Sequence, residues 1–106
     1  MQILHYLDPR GRDIYQDWLD QLHDIVSRIA VQRRIDRVAD TSNLGNCNFC
    51  NSGVWELKID VGPGYRVYYA ESERAIVLLL CGGTKRTQKR DIQNAVKYWK
   101  DYQKRS

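Results

Sequence analysis

The sequence predicts an α+β domain with the element order β-α-α-β-β-β-α, a small antiparallel-rich sheet packed against helices on one face. Three observations point there. Val54 to Asp60 alternates strictly, with Trp55, Leu57 and Ile59 on one side and Glu56, Lys58 and Asp60 on the other, as a half-buried strand does. Ile14, Trp18 and Leu22 recur at helical spacing near the start, and Ile92, Ala95, Val96, Trp99 and Tyr102 do so near the end. Ala75 to Cys81 is a nearly continuous apolar run, the pattern of a strand covered on both faces.

Taken in order, Gln2 to Leu7 reads as a short strand ended by Asp8-Pro9, where Asp caps a helix and Pro is tolerated in its first turn. Tyr15 and Leu19 flank the stripe of that first helix. Asp24 caps the second, whose apolar positions Ile25, Ile29, Ile35, Val38 and Ala39 cover a broad face while Arg33 and Arg37 lie outside it. Thr41 to Ser52, rich in Ser, Asn and Gly, reads as an exposed loop. Gly62-Pro63-Gly64 is turn chemistry, and Tyr65 to Ala70 returns as the partner strand.

Antiparallel partners have residue numbers that sum to a constant, and a sum near 124 gives this hairpin a continuous apolar face. It sets Trp55 opposite Tyr69, Leu57 opposite Val67 and Ile59 opposite Tyr65. The other face then pairs Lys58 with Arg66 and Glu56 with Tyr68. Glu71 to Arg74 reads as a polar turn, and the apolar run from Ala75 as the middle of the sheet. The last helix begins after Thr87.

At 106 residues, 42% hydrophobic and 28% charged, the chain fits one globular domain spanning 1–106 and gives no compositional case for disorder. It has no apolar run near the roughly 20 residues a membrane helix needs, and its first residues lack a signal peptide's basic and apolar regions. A cytoplasmic protein without a membrane partner is expected. The net charge of +4 is uneven: Gly82 to Ser106 holds eight basic residues against Asp91 and Asp101, net +6, while the rest sums to −2. Such a segment suits a polyanionic partner, or is a solvated helix face. Cys47 and Cys50 have CxxC spacing, but without a second Cys pair or a suitably placed histidine neither a metal site nor a redox motif is expected, and Cys81 reads as a core residue.

With helices on the other side, the face bearing Glu56, Lys58, Arg66 and Tyr68 is free to meet a ligand. Two cations directly opposite each other repel, which a bound phosphate would relieve while accepting a bidentate hydrogen bond from the arginine. An ordinary charged outer face is the alternative. Gly82 to Thr87 leaves the apolar strand with small residues that permit close backbone approach and with Lys85 and Arg86 adding charge; it extends the site or is a plain strand-to-helix turn.

The runs GVWELKIDVGPGYRVYY, Gly53 to Tyr69, and IVLLLCGGTKRTQKRDI, Ile76 to Ile92, resemble the phage-derived, HigB-like addiction-module killer proteins of the RelE/ParE toxin superfamily. The resemblance covers nearly the whole chain. It implies a RelE/ParE-like fold and a type II toxin neutralised by a cognate helix-turn-helix antitoxin encoded beside it. RelE-like relatives act as mRNA interferases, cleaving mRNA on the ribosome by attack of the RNA's own 2′-hydroxyl on the adjacent phosphate. That chemistry needs a base, cationic donors and an acid, but no metal and no small-molecule cofactor.

By position, Arg66 matches the second-strand arginine that would stabilise the phosphate, and Lys58 a first-strand basic position that would neutralise charge or act as base. Lys85 matches a basic residue after the last strand. Glu56 is a candidate proton acceptor, Tyr68 a residue to orient or stack on RNA, and Arg86, Lys89 and Arg90 further RNA-binding candidates. RNA-cleaving relatives often add a histidine or tyrosine near the C-terminus, whereas His5 and His23 both precede the hairpin. A lysine acts as base only where its surroundings lower its pKa well below about 10.4. Two other readings stand beside the endoribonuclease: a ParE-like inhibitor of DNA gyrase, and a non-catalytic RNA-binding module. Arg66→Ala is expected to relieve toxicity with little loss of folding, because the side chain projects from the outer face.

Overall fold

A computed structural model describes residues 1–73 and 76–105. The elements are β1 (Gln2–His5), α1 (Ile14–Asp20), α2 (Ile25–Thr41), β2 (Cys47–Asn51), β3 (Val54–Ile59), β4 (Tyr65–Glu73), β5 (Ile76–Thr84), a 3₁₀ turn (Lys85–Thr87) and α3 (Gln88–Arg105). They form a mixed α+β fold around one five-stranded sheet of order β1-β5-β4-β3-β2. β1 runs parallel to β5 and the other pairs are antiparallel.

The hairpin has the register the alternation predicts, Trp55 opposite Tyr69 through Ile59 opposite Tyr65, with Lys58 opposite Arg66. Gly62 and Gly64 take positive φ at its turn. β4 continues past Ala70 to Glu73, so most of the expected 71–74 turn is strand; Arg74, and Ala75 at the head of the apolar run, lie outside the described residues. The centre of the sheet is β4, with β5 beside it.

Several expectations need correction. The helices do not share one face. α1 and α2 pack with Leu57, Ile59, Val67, Tyr69, Val77 and Leu79, whereas α3 packs through Ala95 and its neighbours on Val54, Tyr68, Ala70, Leu78 and Leu80. The physical reason is that β4 and β5 are apolar on both sides, with Tyr68 and Ala70 alternating with Val67 and Tyr69. The 41–52 segment is not all loop, because Cys47–Asn51 adds an edge strand to β3, with Phe49 opposite Trp55. Tertiary pairing there overrides a composition poor in strand formers.

Asp8 does not cap a helix. Its carboxylate accepts the N–H groups of Arg10 and Arg12 at 2.9 Å and closes a turn, and Asp13 caps α1 by accepting from Gln16. Asp24 does cap α2, accepting from Val26 at 3.1 Å and from the Ser27 hydroxyl at 2.8 Å. The buried line of α2 is Ser27, Val31, Ile35 and Val38. Ile25 and Ile29, expected on that face, are 60% and 46% exposed.

Candidate functional site

The hairpin register fixes the candidate residues. Arg66 stands between Lys58 on β3 and Gly83 on β5. Lys85 is tied to the same end of the sheet, where its N–H donates to the Gly64 carbonyl at 3.0 Å and the Arg66 guanidinium lies along Gly64. Lys58 and Arg66 thus face each other near the closed end of the hairpin, and the backbone of Lys85 joins the same end of the sheet at Gly64, so three basic positions neighbour the 62–64 turn.

The face between them is not open. Glu56 is 3% exposed, its Oε2 3.4 Å from Arg66 Nε, and both carboxylate oxygens accept from Gln88 Nε2, at 3.0 and 3.3 Å. Lys58 Nζ lies 2.8 Å from the Asn48 side-chain amide, which turns its oxygen to the ammonium. The Lys58–Arg66 repulsion that invited an external anion is thus relieved in part by the chain's own carboxylate. The expectation of a free outer face is corrected by α3, whose first residue lies over Glu56.

Tyr68 is not at the surface either. It is fully buried beneath α3, its hydroxyl finds no hydrogen-bond partner among the described residues, and burial, reinforced by the Glu56 carboxylate, pushes its pKa well above a phenol's usual value. A ring so placed packs the core and is not presented for stacking on a base. Arg86, Lys89 and Arg90 are exposed and together line a shallow depression of about 350 Å³ with Thr87 and Gln93.

The glycines of the 82–87 segment do not make room for a ligand. Gly82 and Gly83 belong to β5; a Cβ on Gly82 would lie 2.2 Å from the Trp18 ring, and one on Gly83 1.9 Å from the Asp91 carboxylate. Internal side chains fill that space. Asp91, 7% exposed, accepts from the Thr87 hydroxyl and helps seat the start of α3. Sequence reasoning passed over Gln88, Asn48 and Asp91, each of which holds or neighbours a candidate residue. The one signal available was that Gln88 opens the helix directly after the basic turn.

His5 does not join this end of the sheet. His5, on β1, has its Nδ1 2.6 Å from Asp13 and is separated from β3 by β5 and β4. Cys47 and Cys50 point into opposite layers of the core, and burial first, then Glu56, pushes the Cys50 thiol up to about 11. Among the described residues no group of three or more His, Cys, Asp or Glu side chains could hold a metal ion, and no helix is long and apolar enough to cross a membrane.

Two comparisons bear on this arrangement. The family model described as "Phage derived protein Gp49-like (DUF891)" matches residues 17–100, which include every candidate residue. An uncharacterized protein of Haemophilus influenzae is 40% identical over 81 residues, covering 76% of this chain and 81% of that protein.

Proposed function

Since the chain belongs to the phage-derived Gp49-like family, which is associated with toxin–antitoxin systems, we propose that it is the toxin of a type II pair and a ribosome-dependent mRNA endonuclease. The observation that supports this reading is the placement of three basic positions at one end of the sheet, Lys58 opposite Arg66 in the hairpin and Lys85 bonded through its backbone to Gly64. In the reaction the RNA 2′-oxygen forms a bond to phosphorus, the bond to the 5′-oxygen breaks, and the cationic side chains stabilise the phosphorane-like charge between these events. The 2′-hydroxyl proton passes to a base and the 5′-oxygen gains one from an acid. Arg66 and Lys85 act as phosphate ligands, and Lys58 neutralises charge or takes the proton. Glu56 is the other proton acceptor, available once a substrate phosphate competes for Arg66 and the carboxylate is released. Arg86, Lys89 and Arg90 hold the flanking RNA backbone. Its antitoxin is the expected protein partner, and the family resemblance supports a RelE/ParE-like fold working in the cytoplasm.

A second reading is favoured by one observation. The buried Glu56–Arg66 pair, closed by Gln88, withholds the carboxylate from chemistry, which suits a cationic binding surface that inhibits DNA gyrase without cleaving RNA. Inducing the protein in bacteria while mapping RNA 5′ ends and plasmid supercoiling separates the two. Codon-phased cuts in translated messages support the nuclease. Intact messages with relaxed plasmid replace it with the gyrase inhibitor.

A further inference from the structure

The two edges of the sheet are finished differently. At β1 the chain guards its edge: it folds back through a Leu7–Asp13 bridge, His5 pairs with Asp13, and the Met1 ammonium donates to the Ala39 carbonyl and the Ser42 hydroxyl. Among the described residues no strand lies beyond β2 at the other edge. From Thr41 to Trp55 the sequence holds no charged residue, in a chain that is 28% charged, so β2 lacks the charges that keep exposed edges from pairing. Pairing parity fixes which backbone groups it exposes. The Lys58 N–H donates to the Asn46 carbonyl at 3.0 Å, so Asn46–Lys58 and, two residues on, Asn48–Glu56 are hydrogen-bonded pairs. The N–H and C=O groups of Cys47 and Phe49 therefore point away from β3, toward the open edge. Beside them the Phe49 ring, 57% exposed, stands edge-on to Trp55 with centroids 5.2 Å apart.

We propose that β2 pairs antiparallel with β2 of a second copy about a two-fold axis at Asn48, joining the two sheets into one. In this register Cys47 lies opposite the second copy's Phe49, each such pair exchanges both backbone hydrogen bonds, and every outward N–H and C=O of the two residues is met. The irregularity between Phe49 and Asn51 stays clear of the seam. Centring on Phe49 would instead set Cys47 opposite Asn51, past that irregularity, and centring on Cys47 would set Phe49 opposite Gly45, which offers its ring no side chain. Cys47 and Phe49 share a face with Leu57 and Trp55, so each exposed Phe49 ring gains the second copy's Cys47 and completes a row of Trp55, Phe49, Cys47 and Leu57 across the seam. The occupant follows from what is unmet. Free backbone groups call for an extended strand, the uncharged stretch gives a charged segment nothing to pair with, and β2 supplies both halves of each pair itself. Because β1 is guarded, the assembly closes at two copies. The charges nearest the seam are already held, Lys58 by the Asn48 side chain and Glu56 by Arg66 and Gln88, so the repulsion between two chains of net +4 acts at longer range and is screened by salt. The contact is short, which makes it reversible. It does not depend on the toxin reading.

Sedimentation equilibrium of the full chain from about 1 μM to 1 mM, the range in which small interfaces exchange, should show a reversible monomer–dimer equilibrium that tightens with added salt. Phe49→Lys sets a charge on the edge and should weaken association by at least about 10-fold while melting like wild type, because the ring is exposed. Phe49→Thr keeps a strand-forming residue, removes the ring, and carries the same test where the lysine variant fails to fold. Asn48→Cys gives a positive signature. Opposed residues at a non-hydrogen-bonded site have Cα atoms about 4.5 Å apart, inside the span of roughly 4.4–6.8 Å that a disulfide bridges, so mild oxidation should link two copies through position 48. Peptide mapping by mass spectrometry reads that link, and wild type, whose cysteines are not opposed across the seam, should stay unlinked. A wild-type chain that is monomeric throughout the range overturns the edge pairing. So does a dimer whose affinity both Phe49 variants leave within about threefold, an association that grows past two copies or weakens with salt, or a folded Asn48→Cys protein that does not cross-link. Each of these results leaves the toxin reading standing.

Discussion

Replacing Arg66 by alanine has a consequence for stability that the strand pattern alone does not convey. The Arg66 and Glu56 side chains are 12% and 4% exposed, so the pair belongs with buried ion pairs, where removing one partner costs about 3–5 kcal/mol. Two features reduce the figure here. The closest approach, Arg66 Nε to Glu56 Oε2, is a long 3.4 Å, and Glu56 keeps its hydrogen bonds from Gln88. The expected loss is therefore about 2–3 kcal/mol, which for a chain of this size lowers the melting temperature by roughly 10–15 °C.

Thermal unfolding followed by far-ultraviolet circular dichroism, with urea titration as a check on the slope, measures this loss. Arg66→Ala/Glu56→Gln should recover more than half of it, because the stranded charge is gone. An Arg66→Ala protein melting within about 2 °C of wild type would refute the buried-pair reasoning. Toxicity assays on Arg66→Ala need this control, since loss of fold and loss of phosphate binding otherwise look alike.

Gly82→Ala drives a methyl group into the Trp18 ring and should destabilise by about 1–3 kcal/mol, measured by the same unfolding assay; a neutral substitution would contradict the packing described. Burial, then the Asp101 hydrogen bond, raises the Tyr6 phenol to about 12, and burial also raises Tyr15, Tyr68 and Tyr69. Folded pKa values above the unfolded value near 10 mean stability is fully present below pH 10 and is lost as pH rises beyond it. Tyrosinate absorbance titrated alongside circular dichroism should show these rings ionising only with unfolding, and ionisation in the intact fold would contradict their burial. Cys47 and Cys50 should both remain thiols under mild oxidation, as strand rise places their Cα atoms roughly 10 Å apart and their side chains enter opposite layers. Mass spectrometry after alkylation reads this, and an intramolecular disulfide between them in folded protein would contradict it.

The parts of the fold legible in the sequence were those where period and polarity agree. Strict alternation in β3 and an apolar partner in β4 left one register that buries a full face, and that register carried Lys58 and Arg66 to their positions. The inner face of α3 followed in the same way from Ile92, Ala95, Val96, Trp99 and Tyr102. β2 was not legible, because an edge strand pairs through its backbone and its Asn-rich side chains carry no period.

The second helix layer was missed because Tyr68, with a polar tip on an apolar ring, reads as an outward residue when it in fact supports α3. The closure of Glu56 by Gln88 joins residues 32 positions apart in sequence, which no local pattern encodes. Gly82 and Gly83 gave a true signal of close approach, but the approaching groups are Trp18 and Asp91.

The most direct measurement of the proposed chemistry adds purified protein to a reconstituted translation reaction carrying one defined message and determines the chemical ends of the products. Attack by the 2′-hydroxyl leaves a 2′,3′-cyclic phosphate on one fragment and a 5′-hydroxyl on the other, and both should appear at the ribosomal A site only while ribosomes are engaged. Lys58→Ala should slow their appearance by about 100-fold or more while leaving the fold intact. Products carrying 5′-phosphate ends, or an uncut message in the presence of folded wild-type protein, would contradict it.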